Sequence, residues 1–213
     1  MKKYGILLGT AALLASASTA WAQTPSPNGI FDSVAVYAGQ GVDHDLGSLP
    51  GAIIHGRVNW DPTHFIAVGL GKTAGALGEW SDRLRSTPLA GIRYGYEALL
   101  VKHRGLQSNA ELGAAFLLRS PDLNLGPLAA NLAAGGGLSY ALGTPSYEDG
   151  PLNNPQQRYR LQYLGLWETE WRVRGIDHLS LALRVHHRSG IYGIIAPRHV
   201  GSNFLAAGLR YRF

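Results

Sequence analysis

Residues 161–173 read LQYLGLWETEWRV. Leu161, Tyr163, Trp167, Trp171 and Val173 share one parity, while Glu168, Glu170 and Arg172 share the other. Side chains alternate faces along a strand, so this is a strand with one apolar and one charged face. The scheme recurs. Ile92, Tyr94, Tyr96, Ala98 and Leu100 oppose Arg93 and Glu97. Leu112, Ala114, Phe116 and Leu118 oppose Asn109 and Glu111, and Leu205, Ala207, Leu209, Tyr211 and Phe213 oppose Arg210 and Arg212.

Alternation predicts strands at about 31–42, 52–60, 64–72, 89–103, 108–118, 129–142, 158–173, 178–190 and 202–213. That makes nine, whereas single-chain bacterial barrels use even numbers. Either 52–60 and 64–72 form one long strand bent at Asp61-Pro62, or one of them is a loop segment. The expected fold is therefore all-β, an eight-stranded antiparallel transmembrane β-barrel. Periodicity alone does not separate a lipid-facing apolar surface from a soluble core. Trp and Tyr near strand ends, and opposite charges on the polar face, favour lipid outside and a polar lumen. A closed barrel is also the sheet that satisfies its backbone in lipid. Gly135-Gly136-Gly137 lies inside a strand and reads as a bend or close packing.

The two ends of the chain agree with export. Lys2 and Lys3 precede an apolar run from Ile6 to Leu14, and Ala20-Trp21-Ala22 is a small-x-small cleavage site. Residues 1–22 are expected to be a signal peptide, and 23–213 the barrel. The run is too short to span a bilayer as a helix, and no long apolar run follows it. The chain ends on Tyr211-Arg212-Phe213. A terminal aromatic two residues after another resembles the assembly signal of outer-membrane barrels. It implies the outer membrane as location and the barrel assembly machinery as a partner through Phe213. There is no cysteine, so disulfides and thiol catalysis are excluded. The net charge of +5 is too weak to argue for nucleic acid. No cofactor is implied.

With both termini periplasmic, the next-to-last strand ends at the cell surface near Ser189. Leu181, Leu183, Val185, His187 and Ser189 share the lipid-facing parity, while Ser180, Ala182, Arg184, His186 and Arg188 face the lumen. A His and a Ser on an apolar outer face call for a task. At i, i+2 their Cα atoms are about 6.8 Å apart, within reach of an imidazole accepting the Ser proton. His178-Leu179-Ser180 has the same spacing but sits at the other end with its Ser toward the lumen, and it reads as structural. His186 and His187 face opposite ways and cannot share a metal ion, so no metal site is expected. Glu148-Asp149 reads as a solvated loop.

His187-Arg188-Ser189 on the next-to-last strand, a loop with Pro197 and Gly201, and a last strand opening at Ser202-Asn203 resemble the PagL-type lipid A 3-O-deacylases. These are small outer-membrane barrels that remove an ester-linked acyl chain from lipid A. The resemblance covers about the last 35 residues. It implies a carboxylic ester hydrolase with His187 as base and Ser189 as nucleophile. A third residue orients the His, an acid in the best-known family pattern, and spacing places Asn203 there. The family often has Asn where this chain has Gly190, so the oxyanion donors are expected among backbone N–H groups around Ser189–Gly193, Gly190 first. The implied partner is lipopolysaccharide. Arg188, Arg198 and His199 are candidates to hold its glucosamine phosphates, with lumen or surface charge an equal reading. Two other functions fit a small barrel: a non-catalytic role in adhesion or membrane integrity, and an acyltransferase using the same pair with a lipid acceptor.

Overall fold

A computed structural model describes residues 29–213, so the expected signal peptide at 1–22 lies outside the described residues. Eight long strands form the wall: β1 (Ser33–Val42), β2 (Trp60–Ala76), β3 (Arg93–Gly105), β4 (Ala110–Arg119), β6 (Leu128–Leu142), β7 (Leu161–Val173), β8 (Leu179–Ser189) and β9 (Gly201–Arg212). The short β5 (Leu123–Leu125) pairs with the start of β6. Each long strand is antiparallel to its neighbours in the chain, and β4 continues directly to β6. The ring closes where β1 pairs with β9, from Ser33 opposite Arg212 to Val42 opposite Asn203. No long strand is left with an open edge, which is what a sheet needs in hydrocarbon.

The strand count is the expected one, but 52–60 is not a strand. Residues Leu49–Ile54 form the helix α1, with Pro in its first turn. Pro is tolerated there because its missing N–H has no intrahelical acceptor to lose. Gly56, at φ 63°, turns the chain out of the helix. A run as short as Ala52-Ile53-Ile54 has too little periodicity to separate helix from strand. Asp61-Pro62 falls near the start of β2, beside a register irregularity in β1 between Gln40 and Val42, so Pro62 interrupts no regular ladder.

The wall has its apolar side outward. Leu132, Leu138, Leu181, Leu183 and Leu209 are exposed, whereas Glu97, Glu111, Glu168, Glu170, Arg184 and Arg210 are buried. A water-soluble sheet arranges these the other way, so the expected lipid-facing barrel is what the chain forms. The lumen is filled by side chains. In its termini-side half Glu168 is the hub: Arg184 Nη2 donates to it at 2.6 Å, Arg210 Nη1 at 2.6 Å, Arg119 Nη2 at 2.8 Å and Tyr37 OH at 3.0 Å. Glu97 bridges Arg184 and Arg210 at 2.5 and 3.2 Å. In the other half Glu111 lies between His103 (2.9 Å) and His186 (3.1 Å), whose rings pack against Phe65 and Phe204. These buried charges are paired, which low-dielectric burial requires.

Candidate functional site at the end of β8

The chain termini lie at one end of the barrel. The connections 43–59, 106–109, 143–160 and 190–200 lie at the other, together with the candidate residues. His187 and Ser189 are the outward residues of the last turn of the pleat on β8, both half-buried. Asn203 sits directly across from His187 on β9. Its side-chain oxygen accepts from His187 Nδ1 at 2.7 Å. Its amide nitrogen donates to the His44 carbonyl at 2.7 Å. The second bond fixes the first, because the NH2 must face a carbonyl and the oxygen is left for the ring. His187 Nδ1 therefore carries the proton, and Nε2 keeps its lone pair.

His44 entered this arrangement without a sequence signal. It contributes a backbone carbonyl, which any residue carries. Its ring accepts the Asn59 N–H at 3.0 Å and ties the two ends of loop 43–59 together.

On the other flank, Gly165 of β7 lies across from His187. A Cβ there would come within 2.8 Å of the Trp167 ring, so glycine lets that ring lie beside the imidazole at 6.1 Å between centroids.

Ser189 Oγ accepts a long hydrogen bond from the Ile191 N–H at 3.4 Å. No hydrogen bond joins it to His187 in this structure. After Ser189 the chain turns through Ile191, Tyr192 and Gly193 at φ 44°, 58° and 99°. For a β-branched residue such as Ile191 this is a rare backbone state costing on the order of 1–3 kcal/mol, held only when surrounding contacts enforce it.

The expected oxyanion donor is corrected. The Gly190 N–H is bonded to the Val200 carbonyl at 3.2 Å. Gly190 is required for another reason: a Cβ would sit 2.1 Å from the Ala196 oxygen, where loop 190–200 folds onto it. The Ile191 N–H is the backbone donor that the structure brings to Ser189.

Arg188 is not brought to the site. It is fully buried in the lumen, donating to Ser139 Oγ at 2.6 Å, to the Arg160 carbonyl at 2.8 Å and to Glu148. All three guanidinium nitrogens are engaged, so none is free for a phosphate. Glu148 is buried as well, not solvated as its sequence context implied. Burial pushes its carboxyl up to about 7, against the pull of the Arg188 guanidinium. Arg198 and His199 are exposed on loop 190–200, and Arg198 Nε bonds the Tyr192 carbonyl at 3.3 Å. His186 points into the lumen onto Glu111 while His187 points out. The second His-x-Ser pair is at the termini end, with Ser180 buried against the Arg210 carbonyl at 3.5 Å.

No protein-family model matches the chain, and no curated protein matches it. Among solved structures the chain is similar to the outer-membrane enzyme PagL, with a TM-score of 0.52 and 12% identity over 84% of this chain and 99% of that one. Neisserial surface protein A is also similar, with a TM-score of 0.46 and 12% identity over 85% of this chain and 96% of that one. At such identity the likeness to PagL is one of fold. The chain is an eight-stranded barrel of the outer-membrane kind.

Proposed function

We propose that the protein is a lipid A deacylase of the outer leaflet, a serine esterase with Ser189 as nucleophile and His187 as base. The observation that carries this reading is the His187–Asn203 hydrogen bond of 2.7 Å on the lipid-facing side of the wall. A core histidine has no use for an outward amide clamp, whereas a general base needs one nitrogen protonated and the other free. Ser189 Oγ attacks the ester carbonyl as its proton passes to His187 Nε2. The tetrahedral oxyanion is met by the Ile191 N–H. The C–O bond to the sugar breaks, and the sugar oxygen takes the proton from His187. Water then attacks the acyl-serine, His187 accepts its proton and returns it to Ser189, and the fatty acid leaves. In this reading Arg198 and His199, exposed on loop 190–200, meet the glucosamine phosphates. Phe213, exposed after β9, is offered to the barrel assembly machinery.

The open Ser189–His187 contact is also what a barrel without catalytic function would show. Incubating the purified protein with lipid A and weighing the products separates the readings. Loss of one acyl chain supports the esterase, gain of one means acyl transfer, and unchanged lipid A means a non-catalytic barrel.

Asn203→Ala is expected to lower turnover roughly ten- to a thousand-fold, with little change in KM, because it orients a base without touching substrate. Asn203→Asp keeps an acceptor on Nδ1 and adds a charge to offset imidazolium. It also sets a carboxylate against the His44 carbonyl, so activity within roughly tenfold of wild type is expected. Full activity of Asn203→Ala would remove Asn203 from the site.

The base must be neutral to work. The rate is expected to fall on acidification, because protonating the imidazole removes the base. A rate that rises on acidification would contradict a histidine base.

A further inference from the structure

The wall opposite the candidate site carries an unusual set of outward residues. Lys102 and Arg104 point out from the last residues of β3, which ends at Gly105. His64 points out from β2, paired directly with Arg104, and Ile66 pairs with Lys102. All three polar side chains are exposed. Residues two apart on one strand face lie about 6.8 Å apart, and direct cross-strand partners about 5 Å, so the three head groups converge on one patch. Lys102 donates to the Ser108 carbonyl, which holds its ammonium at the rim and leaves protons free. Among the described residues none of the three makes an ion pair with a carboxylate. The outward positions of the neighbouring strands supply no acid: they are Gln40, Ala38 and Val36 on β1, and Ala110, Leu112 and Ala114 on β4.

Like charges side by side on a sheet face are unfavourable without a counter-anion, and more so beside hydrocarbon. Directly below the cations the wall becomes apolar, with Ile66, Val68, Leu100 and Leu112 exposed at 60%, 40%, 53% and 48%. An anionic head group at the rim with acyl chains beneath it matches this surface in charge and in hydrophobicity. We infer that the β2–β3 rim, formed by His64, Lys102 and Arg104, is a docking site for the phosphate of an outer-leaflet glycolipid, separate from the candidate catalytic site. Lys102 and Arg104 on β3 are four strands from Ser189 on β8 in either direction around the ring, and His64 on β2 is two strands from Asn203 on β9, so the β3 cations lie across the barrel from Ser189. The inference rests on the membrane orientation and not on Ser189 cutting esters.

The test uses full-length protein folded in detergent, in a Ser189→Ala background so that hydrolysis does not alter the probe. Binding of bis-phosphorylated lipid A and of chemically dephosphorylated lipid A is measured by native mass spectrometry. Lys102→Gln/Arg104→Gln is expected to weaken binding of the phosphorylated lipid on the order of tenfold or more and to leave the dephosphorylated lipid unaffected. Arg83→Gln/Arg85→Gln removes the same charge from exposed positions at the opposite end and is expected to leave binding at the parent level. A heat-dependent gel shift confirms that each variant is folded. Unchanged affinity in the β3 variant, equal loss in the control, or equal binding of both lipids by the parent would each overturn the inference. Deacylation by the wild-type chain is read separately, so the two proposals fail independently.

Discussion

Ser189→Ala and His187→Ala are each expected to reduce deacylation of lipid A by roughly a thousand-fold or more, because nucleophile and base act as one unit. The double variant should be little worse than either single one, for the same reason. Ser180→Ala supplies the comparison. It belongs to the same His-x-Ser spacing, but its hydroxyl is in the lumen at the termini end. Its removal should leave product formation near wild type. The measurement is mass spectrometry of lipid A over time with each purified variant. Equal loss from Ser180→Ala and Ser189→Ala would mean that the damage is structural. Activity in Ser189→Ala would end the esterase reading.

The second large effect is on stability. Four guanidinium groups, on Arg119, Arg184, Arg210 and Arg212, share three carboxylates, on Glu97, Glu168 and Glu170. Glu168 touches three of the four cations. Glu168→Gln preserves shape and leaves this network with two carboxylates against four cations. Breaking a buried ion network from one side costs about 3–5 kcal/mol, since the partners stay buried without compensation. Urea unfolding of the barrel from lipid vesicles should show a loss of that order. Arg119 is partly exposed, which places the expectation toward the lower figure. A loss below about 1 kcal/mol would mean that water or an ion replaces the carboxylate without penalty.

Much of this was legible in the residues. Period-two alternation in 161–173 and 205–213 placed strands and assigned each side chain to a face, because a pleated strand leaves no other choice. Parity alone put His187 and Ser189 on the apolar side and Arg188 on the charged side. It did not say what Arg188 would do there. That depended on Glu148 folding in from loop 143–160 to engage it, an arrangement local pattern does not encode. The helix at Leu49–Ile54 was missed because a three-residue apolar run carries no usable period. The fate of the Gly190 N–H was decided by how loop 190–200 folds back on itself.

By itself, then, the sequence determined the strands, their faces and the two outward residues on β8, all of which follow from local geometry. The tertiary structure decided which face meets lipid, by closing β1 onto β9 and enclosing the charges. The same closure carries loop 43–59 to the start of β9. There the His44 carbonyl, 159 residues away in the chain, orients the Asn203 amide, and that amide sets which nitrogen of His187 is free. A backbone carbonyl has no residue signature, so only the closed ring reveals what it holds in place.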